Sequence, residues 1–247
     1  MLDVILNDFP KVFPEFNQLL AAGVPIFARV VGLMRMTPFL NRTEIPMIAK
    51  VGFAFIFSIM LTLFLHPAAP ATGFSIFYSI VINFLCGALI GFIINCIIAA
   101  IEAGGDMINM QQGVSSATIM DPSTSTQISI MGRLFSLIGL IIFIEIGGMY
   151  WTFNAFIRSF EIFPIYASFV PLDEIVNLPY LIKITSNVLY VGLQIAAPVL
   201  IATLGQDIIL GIISKTAPQV NVFQMSFLFK PCMGSAILIV VMPQLLD

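Results

Sequence analysis

Charge is scarce in this chain. Of its 247 residues only 9% are Asp, Glu, Lys or Arg, against about 25% in a soluble domain, whose surface must be solvated. That scarcity excludes almost any ordinary cytosolic enzyme, and the apolar content below excludes disorder. A formal net charge of −3 with scattered Lys and Arg leaves no basic patch, so nucleic acid is not expected as a partner. Histidine occurs once, as His66 in a Pro-rich turn, with no Ser or Cys placed to use it as a base. Histidine-dependent hydrolysis and metal binding are therefore not expected, and no cofactor is implied. The three cysteines, Cys86, Cys96 and Cys232, lie inside apolar runs. They are too far apart for a metal cluster or a redox Cys-x-x-Cys and read as small buried hydrophobes. The first residues, MLDVILNDFPKVF, lack the basic region and small-residue cleavage site of a signal peptide, so this segment is expected to be retained.

What the chain does have is apolar. Hydrophobic residues make up 59%, with 23 Phe, and the mean hydropathy is +1.05. Most of such a surface must face lipid or other apolar protein, which makes this an integral membrane protein. The widest gap in the charges runs from Lys50 to Glu102. A bilayer core takes about 20 helical residues per pass, so the gap holds two passes, over 46–65 and 74–103. The turn between them is His66-Pro-Ala-Ala-Pro-Ala-Thr-Gly73, where two prolines and a glycine stop one helix before the next. Residues 24–37 are apolar but carry Arg29 and Arg35, and 134–157 is apolar except for Glu145. The uncharged stretch Ile184–Gln206 contains Pro198, where a bend is expected, and Pro231–Leu246 is uncharged again.

The pattern predicts an all-α membrane protein of five or six helical segments in a single domain, 1–247, without an internal repeat. Several segments are short, charged or Pro-bearing, which hydrocarbon tolerates poorly, so they are expected to be buried against protein. The Lys and Arg asymmetry is too weak to orient the chain.

Two polar stretches interrupt the apolar sequence. The first runs from Glu102 through Asp106, Met107, Asn109, Met110, Gln111, Gln112 and Gly113 to Met120, Asp121, Pro122 and Gln127. Glu102, Asp106 and Asn109 fall at i, i+4 and i+7, on one helix face. Gly113 and Asp121-Pro122 are expected to break that helix. At membrane depth such a segment is allowed only if it lines a water-filled path or is buried in protein; otherwise it is an exposed loop. Its methionines suit adaptable seals as well as packing. Asp106 after Ala103-Gly-Gly105 also resembles, faintly, the aspartate site of intramembrane aspartyl proteases. That chemistry needs two carboxylates sharing a proton, and Asp207 is the only conceivable second. The other polar stretch, 194–230, carries Pro198, Gln206-Asp207 and Lys215-Thr-Ala-Pro218-Gln219-Val-Asn221-Val-Phe223. Pro218 separates two helices there, and the amides at the tip suit contacts between subunits or a plain interfacial turn. Gly87 and Gly91 form a Gly-x-x-x-Gly step that favours close helix packing.

In order along the chain come Pro38, Ile45-Pro46, Lys50, Ala103-Gly104, Gln112-Gly113, Asp121-Pro122, Ser159-Phe160, Pro164, Ala196-Ala-Pro198-Val199, Asp207, Leu210-Gly211, Ala217-Pro-Gln-Val-Asn-Val-Phe223 and Phe229-Lys230. The series resembles, over nearly the whole chain, the FliR family of flagellar export proteins and its injectisome counterpart, the SctT family. The resemblance implies a non-enzymatic component of the type III export gate in the bacterial inner membrane, at the flagellar basal body. It implies assembly with FliP and FliQ homologues, next to FlhB, into a helical channel raised from the bilayer, which passes unfolded exported proteins. In that family the segment matching Asp106–Pro122 projects into the channel as a plug, with methionines of neighbouring subunits forming a gasket. The resemblance thus favours a pore role for Asp106–Pro122, and assembly roles for Pro198, Asp207, Pro218, Gln219, Asn221 and Phe223. Gly147-Gly148 stands where flagellar members often have Gly-His, which is closer to the injectisome branch, whereas Asp121-Pro-Ser-Thr-Ser-Thr-Gln127 is closer to the flagellar one. A flagellar subunit is expected; the alternatives are an injectisome SctT subunit and a small multi-pass transporter, which would have its site at broken helices and show an internal repeat.

Overall fold

The computed structural model describes residues 14–42, 45–65, 76–113, 119–120, 127–166 and 177–246. Among these the protein is all-α, apart from a two-residue antiparallel ladder. The helices are α1 (Pro14–Met36), α2 (Met47–Leu65), α3 (Ile76–Gln111), α4 (Ile130–Glu145), α5 (Gly148–Ile162), α6 (Leu178–Thr216) and α7 (Val222–Leu246). The strands β1 (Ile119–Met120) and β2 (Gln127–Ile128) pair Ile119 with Ile128 and Met120 with Gln127. Four helices among the described residues, α2, α3, α6 and α7, are long and apolar enough to cross a membrane, or five spans if α4 and α5 count as one broken pass.

The two expected passes are present as helices α2 and α3; the turn at 66–73 that would make them a hairpin lies outside the described residues. The segment expected to end at 103 continues to Gln111 because Gly104 and Gly105 serve as contact points rather than breaks. At 36 and 39 residues, α3 and α6 trace about 54 and 58 Å at 1.5 Å per residue, well beyond a 30 Å hydrocarbon core. The apolar stretch 134–157, read as one segment, is two helices. Gly147 has a φ of 80°, a left-handed conformation open to glycine, and the Ile146 amide closes α4 by donating to the Ile142 carbonyl. Helix α6 runs through Pro198 as one element.

The chain forms two compact units: Met1–Asn95 with Gly147–Leu181, and Cys96–Ile146 with Ile182–Asp247. In the first, Ile26, Val30, Leu33, Ala54, Leu61, Phe156 and Phe160 form the core. Helices α1 and α3 touch backbone to backbone. A Cβ on Gly32 would strike the Phe84 carbonyl oxygen, one on Gly87 the Arg29 carbonyl oxygen, and one on Gly91 the Leu33 carbonyl oxygen. The Gly-x-x-x-Gly step thus packs against α1.

This close approach encloses Arg29, which is 0% exposed. An arginine stays protonated at physiological pH, so its charge needs hydrogen-bond partners in place of water. Its guanidinium donates to Asn83 Oδ1 at 2.9 Å, Ser159 Oγ at 3.1 Å and the Phe163 carbonyl at 2.7 Å. Its Cζ lies 4.1 Å from the Phe160 ring centroid, a cation–π contact. Asn83 is held in turn by donating to the Ser79 and Ile165 carbonyls. The compact ammonium of a lysine cannot reach three separated acceptors, and each charge-assisted bond lost is worth about 1.5–3 kcal/mol. Arg29→Lys is therefore expected to destabilise the protein by about 2–4 kcal/mol, read as a lower thermal midpoint in detergent. An unchanged midpoint would show that the network contributes nothing.

The second unit packs Ile108, Phe135, Ala196 and Val199, with Ile101, Ile195, Ile237 and Leu238 against them. Small residues again set the spacing. Gly192 faces the Ala100 carbonyl and the Gly104 amide, both 3.2 Å from where its Cβ would be, and Gly139 faces Ile101.

Candidate functional site

The polar segment begins on the last turns of α3 and is rooted in the second unit. Of the predicted face, Glu102 and Asp106 lie against α4: Glu102 is hydrogen-bonded with Ser136, and Arg133 lies close enough to act on its charge. Asp106 occupies the space that a side chain at position 132 would need; a Cβ on Gly132 would collide with Asp106 Oδ1. The carboxylate thereby rests on the first turn of α4. There Ser129 caps the helix by accepting from the Gly132 amide at 2.8 Å, and the helix dipole favours negative charge. One residue earlier, Gly105 meets the Met131 carbonyl and Gly132 Cα. The last turns of α3 that lead into the segment are thus held against the first turn of α4 that follows it.

The candidate plug residues divide by position. Met107 is half-buried against the second core, Asn109 and Gln112 are buried, and Gln111 is half-buried. Met110 is 72% exposed. Gly113 leaves the helix with a φ of 72°, as its glycine identity allows. Met120 pairs with Gln127 in the ladder, and Asp121 and Pro122 lie outside the described residues.

The candidate assembly residues are dispersed. Pro198 is half-buried within α6, and Asp207 forms an ion pair of 2.8 Å with Lys230 of α7. Pro218, Gln219, Asn221 and Phe223 are exposed at the α6–α7 turn, where the Asn221 side chain accepts from the Gln224 amide and starts α7. Asp207 is engaged by Lys230 and Asp106 rests on the first turn of α4, so among the described residues these two carboxylates are not seen to share a proton as protease chemistry needs.

Sequence reasoning missed Gly132, Gly192, Gly234 and Ser129. A Cβ on Gly234 would collide with the Gln112 amide, so the root of the segment also packs on α7. The only local signal was Ser129 standing just before an apolar helical run.

Gly132→Ala separates this packing from propensity. At an open helical site the change would stabilise by about 0.5–1 kcal/mol. Here it displaces the Asp106 carboxylate, and overpacking of this kind costs about 1–3 kcal/mol. The single variant is expected to lower the thermal midpoint, and Asp106→Ala in the same chain is expected to restore part of it.

Comparison with known proteins identifies the family of the chain. Residues 20–247 match bacterial export proteins, family 1. The chain is 27% identical over 220 residues to the flagellar biosynthetic protein FliR of Escherichia coli, covering 87% of this chain and 82% of that protein. It is 27% identical over 193 residues to the Yop proteins translocation protein T of Yersinia pestis, covering 76% and 74%. It is 25% identical over 239 residues to the surface presentation of antigens protein SpaR of Salmonella typhimurium, covering 95% and 87%. With an all-α, span-forming fold and a polar segment rooted between α3 and α4, the chain belongs to bacterial export proteins, family 1, the FliR/SctT family, and is an export component rather than an enzyme.

Proposed function

We propose that this protein is a subunit of the flagellar type III export gate in the bacterial inner membrane. It assembles with FliP and FliQ homologues, next to FlhB, into a channel for unfolded exported proteins, and supplies a plug from Asp106–Pro122. The observation that carries this reading is the polar, Gly- and Met-bearing segment gripped at its root in a chain that is otherwise apolar. A root held at Asp106 and Gln112, with Met110 exposed on the same turns of α3, suits a seal whose base stays anchored.

The broad apolar surfaces favour assembly. Ile48 is 88% exposed and Phe223 83%, and α3 and α6 outreach the hydrocarbon core, so sister subunits cover what lipid cannot. Pro198, Asp207 and the exposed Pro218–Phe223 turn serve that assembly. The run Asp121–Gln127 favours the flagellar branch; Gly147-Gly148 favours the injectisome as the second reading.

Expressed alone, the chain is expected to be unstable, and with FliP and FliQ homologues to purify as one large complex. A stable lone monomer that moves a small solute would sink the proposal. Deleting residues within 107–120 is expected to make membranes carrying the complex leaky to ions or small solutes. An unchanged seal removes the plug assignment and leaves family membership intact.

A further inference from the structure

We propose that the second unit holds a binding site for ordered water, shared by the side-chain amides of Asn109, Gln112 and Gln206. These residues are 3%, 1% and 6% exposed. Asn109 Oδ1 and both amide heteroatoms of Gln112 and of Gln206 have no hydrogen-bond partner among the described residues. Buried amides are nearly always paired, by protein groups or by internal water, because desolvating them unpaired is unfavourable. The neighbouring hydroxyl is committed elsewhere: Thr203, 0% exposed, donates to the carbonyls of Val199 and Leu200.

Two independent registers bring the amides of α3 and α6 together. Gly104 of α3 abuts Ile195 of α6, and Ile108 packs with Ala196 and Val199, so the two helices advance in the same direction. Eight residues past Gly104 is Gln112, and eight past Ile195 is Thr203. Helix α7 gives the same level from the opposite direction. Lys230 pairs with Asp207, and Gly234, one turn further on, packs against the Gln112 side chain. Gln206 is then offset about 4.5 Å from Gln112 along the helix axes, at 1.5 Å per residue, so the two side chains belong to neighbouring turns of the same layer. Asn109 lies one turn before Gln112.

The result is a polar layer stacked on the apolar layer of Ile108, Phe135, Ala196 and Val199. Its chemistry suits water. Each amide offers two N–H donors and a carbonyl acceptor, and an internal water makes two to four bonds. A divalent cation would want carboxylates, and the carboxylate of this layer, Asp207, is engaged by Lys230. The amide atoms lie beneath the surface of their own unit, so another subunit would have to displace a helix to reach them. The bridged water ties the last turn of α3 to α6, and so fixes the direction in which Gly113 departs. This inference does not depend on the plug reading.

The test is a double-substitution cycle, Gln112→Met and Gln206→Met, in the full chain within its purified membrane complex. Methionine keeps the volume and removes the polar atoms. Each single change is expected to lower the thermal midpoint, because it strands the water and the remaining amide, and the double change is expected to be no worse than the worse single. A single change that raises the midpoint, as a dry orphaned amide requires, or losses that simply add, overturns the shared site. Should either variant fail to assemble, a map of the unmodified complex at about 2 Å decides. Water peaks at about 2.7–3.2 Å from both glutamine amides support the site; closed packing with no peak, or a partner's side chain there, overturns it.

Discussion

Helix backbones in direct contact are the constraint from which the rest of the first unit follows. Gly32, Gly87 and Gly91 let α1 and α3 meet with no side chain between them. In an apolar setting such contact replaces the hydrophobic drive that lipid removes, since a tail is as apolar as a leucine. Closing the two helices also shuts Arg29 away from water, so its charge must be met inside. The hydroxyl, amide and carbonyl it uses come from α3 and from the end of α5, which fixes α5 and the residue after it as firmly as the core does. Packing and charge are therefore one problem here, with one solution.

The second unit repeats the logic with a different emphasis. Gly104, Gly105, Gly132 and Gly192 again draw helices together, but what they enclose is the root of the polar segment. The proposed plug role requires a fixed base. Asp106 on the first turn of α4 and Gln112 on Gly234 supply the base from two different helices. Neither contact could exist with a larger residue at the glycine.

The long-range character of these contacts sets what could be read in advance. The two passes α2 and α3 were legible because an uncharged gap and a proline-rich turn are local signals. The break at Ile146-Gly147 was not, since an apolar run looks the same whether or not one glycine inside it turns left-handed. The extension of α3 past Gly104-Gly105 was missed for the converse reason. Glycine reads as a stop until its neighbour is known, and that neighbour, Ile195 or Met131, is remote in sequence. Arg29 was visible as a charge in an apolar stretch, but its partners stand 54, 130 and 134 residues away. For the polar segment, composition located the place and helical spacing identified the α4-facing side. The grip itself depends on Gly132 and Gly234, which carry no chemistry of their own.

The few charges obey a rule that bears on what covers this protein. Exposed ones sit near helix ends: Arg35 in the last turn of α1, Glu145 closing α4, Arg158 and Glu161 late in α5, Lys183 early in α6 and Lys215 in its last turn. Those further inside a helix have partners within their own unit, as with Arg29, Lys230 with Asp207, Glu102 with Ser136, and Asp106 on the start of α4. The long middle stretches of α2, α6 and α7 consequently present large apolar side chains and little else, from Ile56 to Ile201 and Ile239. A surface of that kind cannot face water over such an area. It also offers a charged or polar ligand nothing to hold, so its cover must be apolar and extended, as lipid and the helices of another membrane subunit are. Helices whose length exceeds the bilayer thickness either tilt to keep that surface within the acyl chains or leave part of it to another apolar cover, the choice being set by what packs beside them.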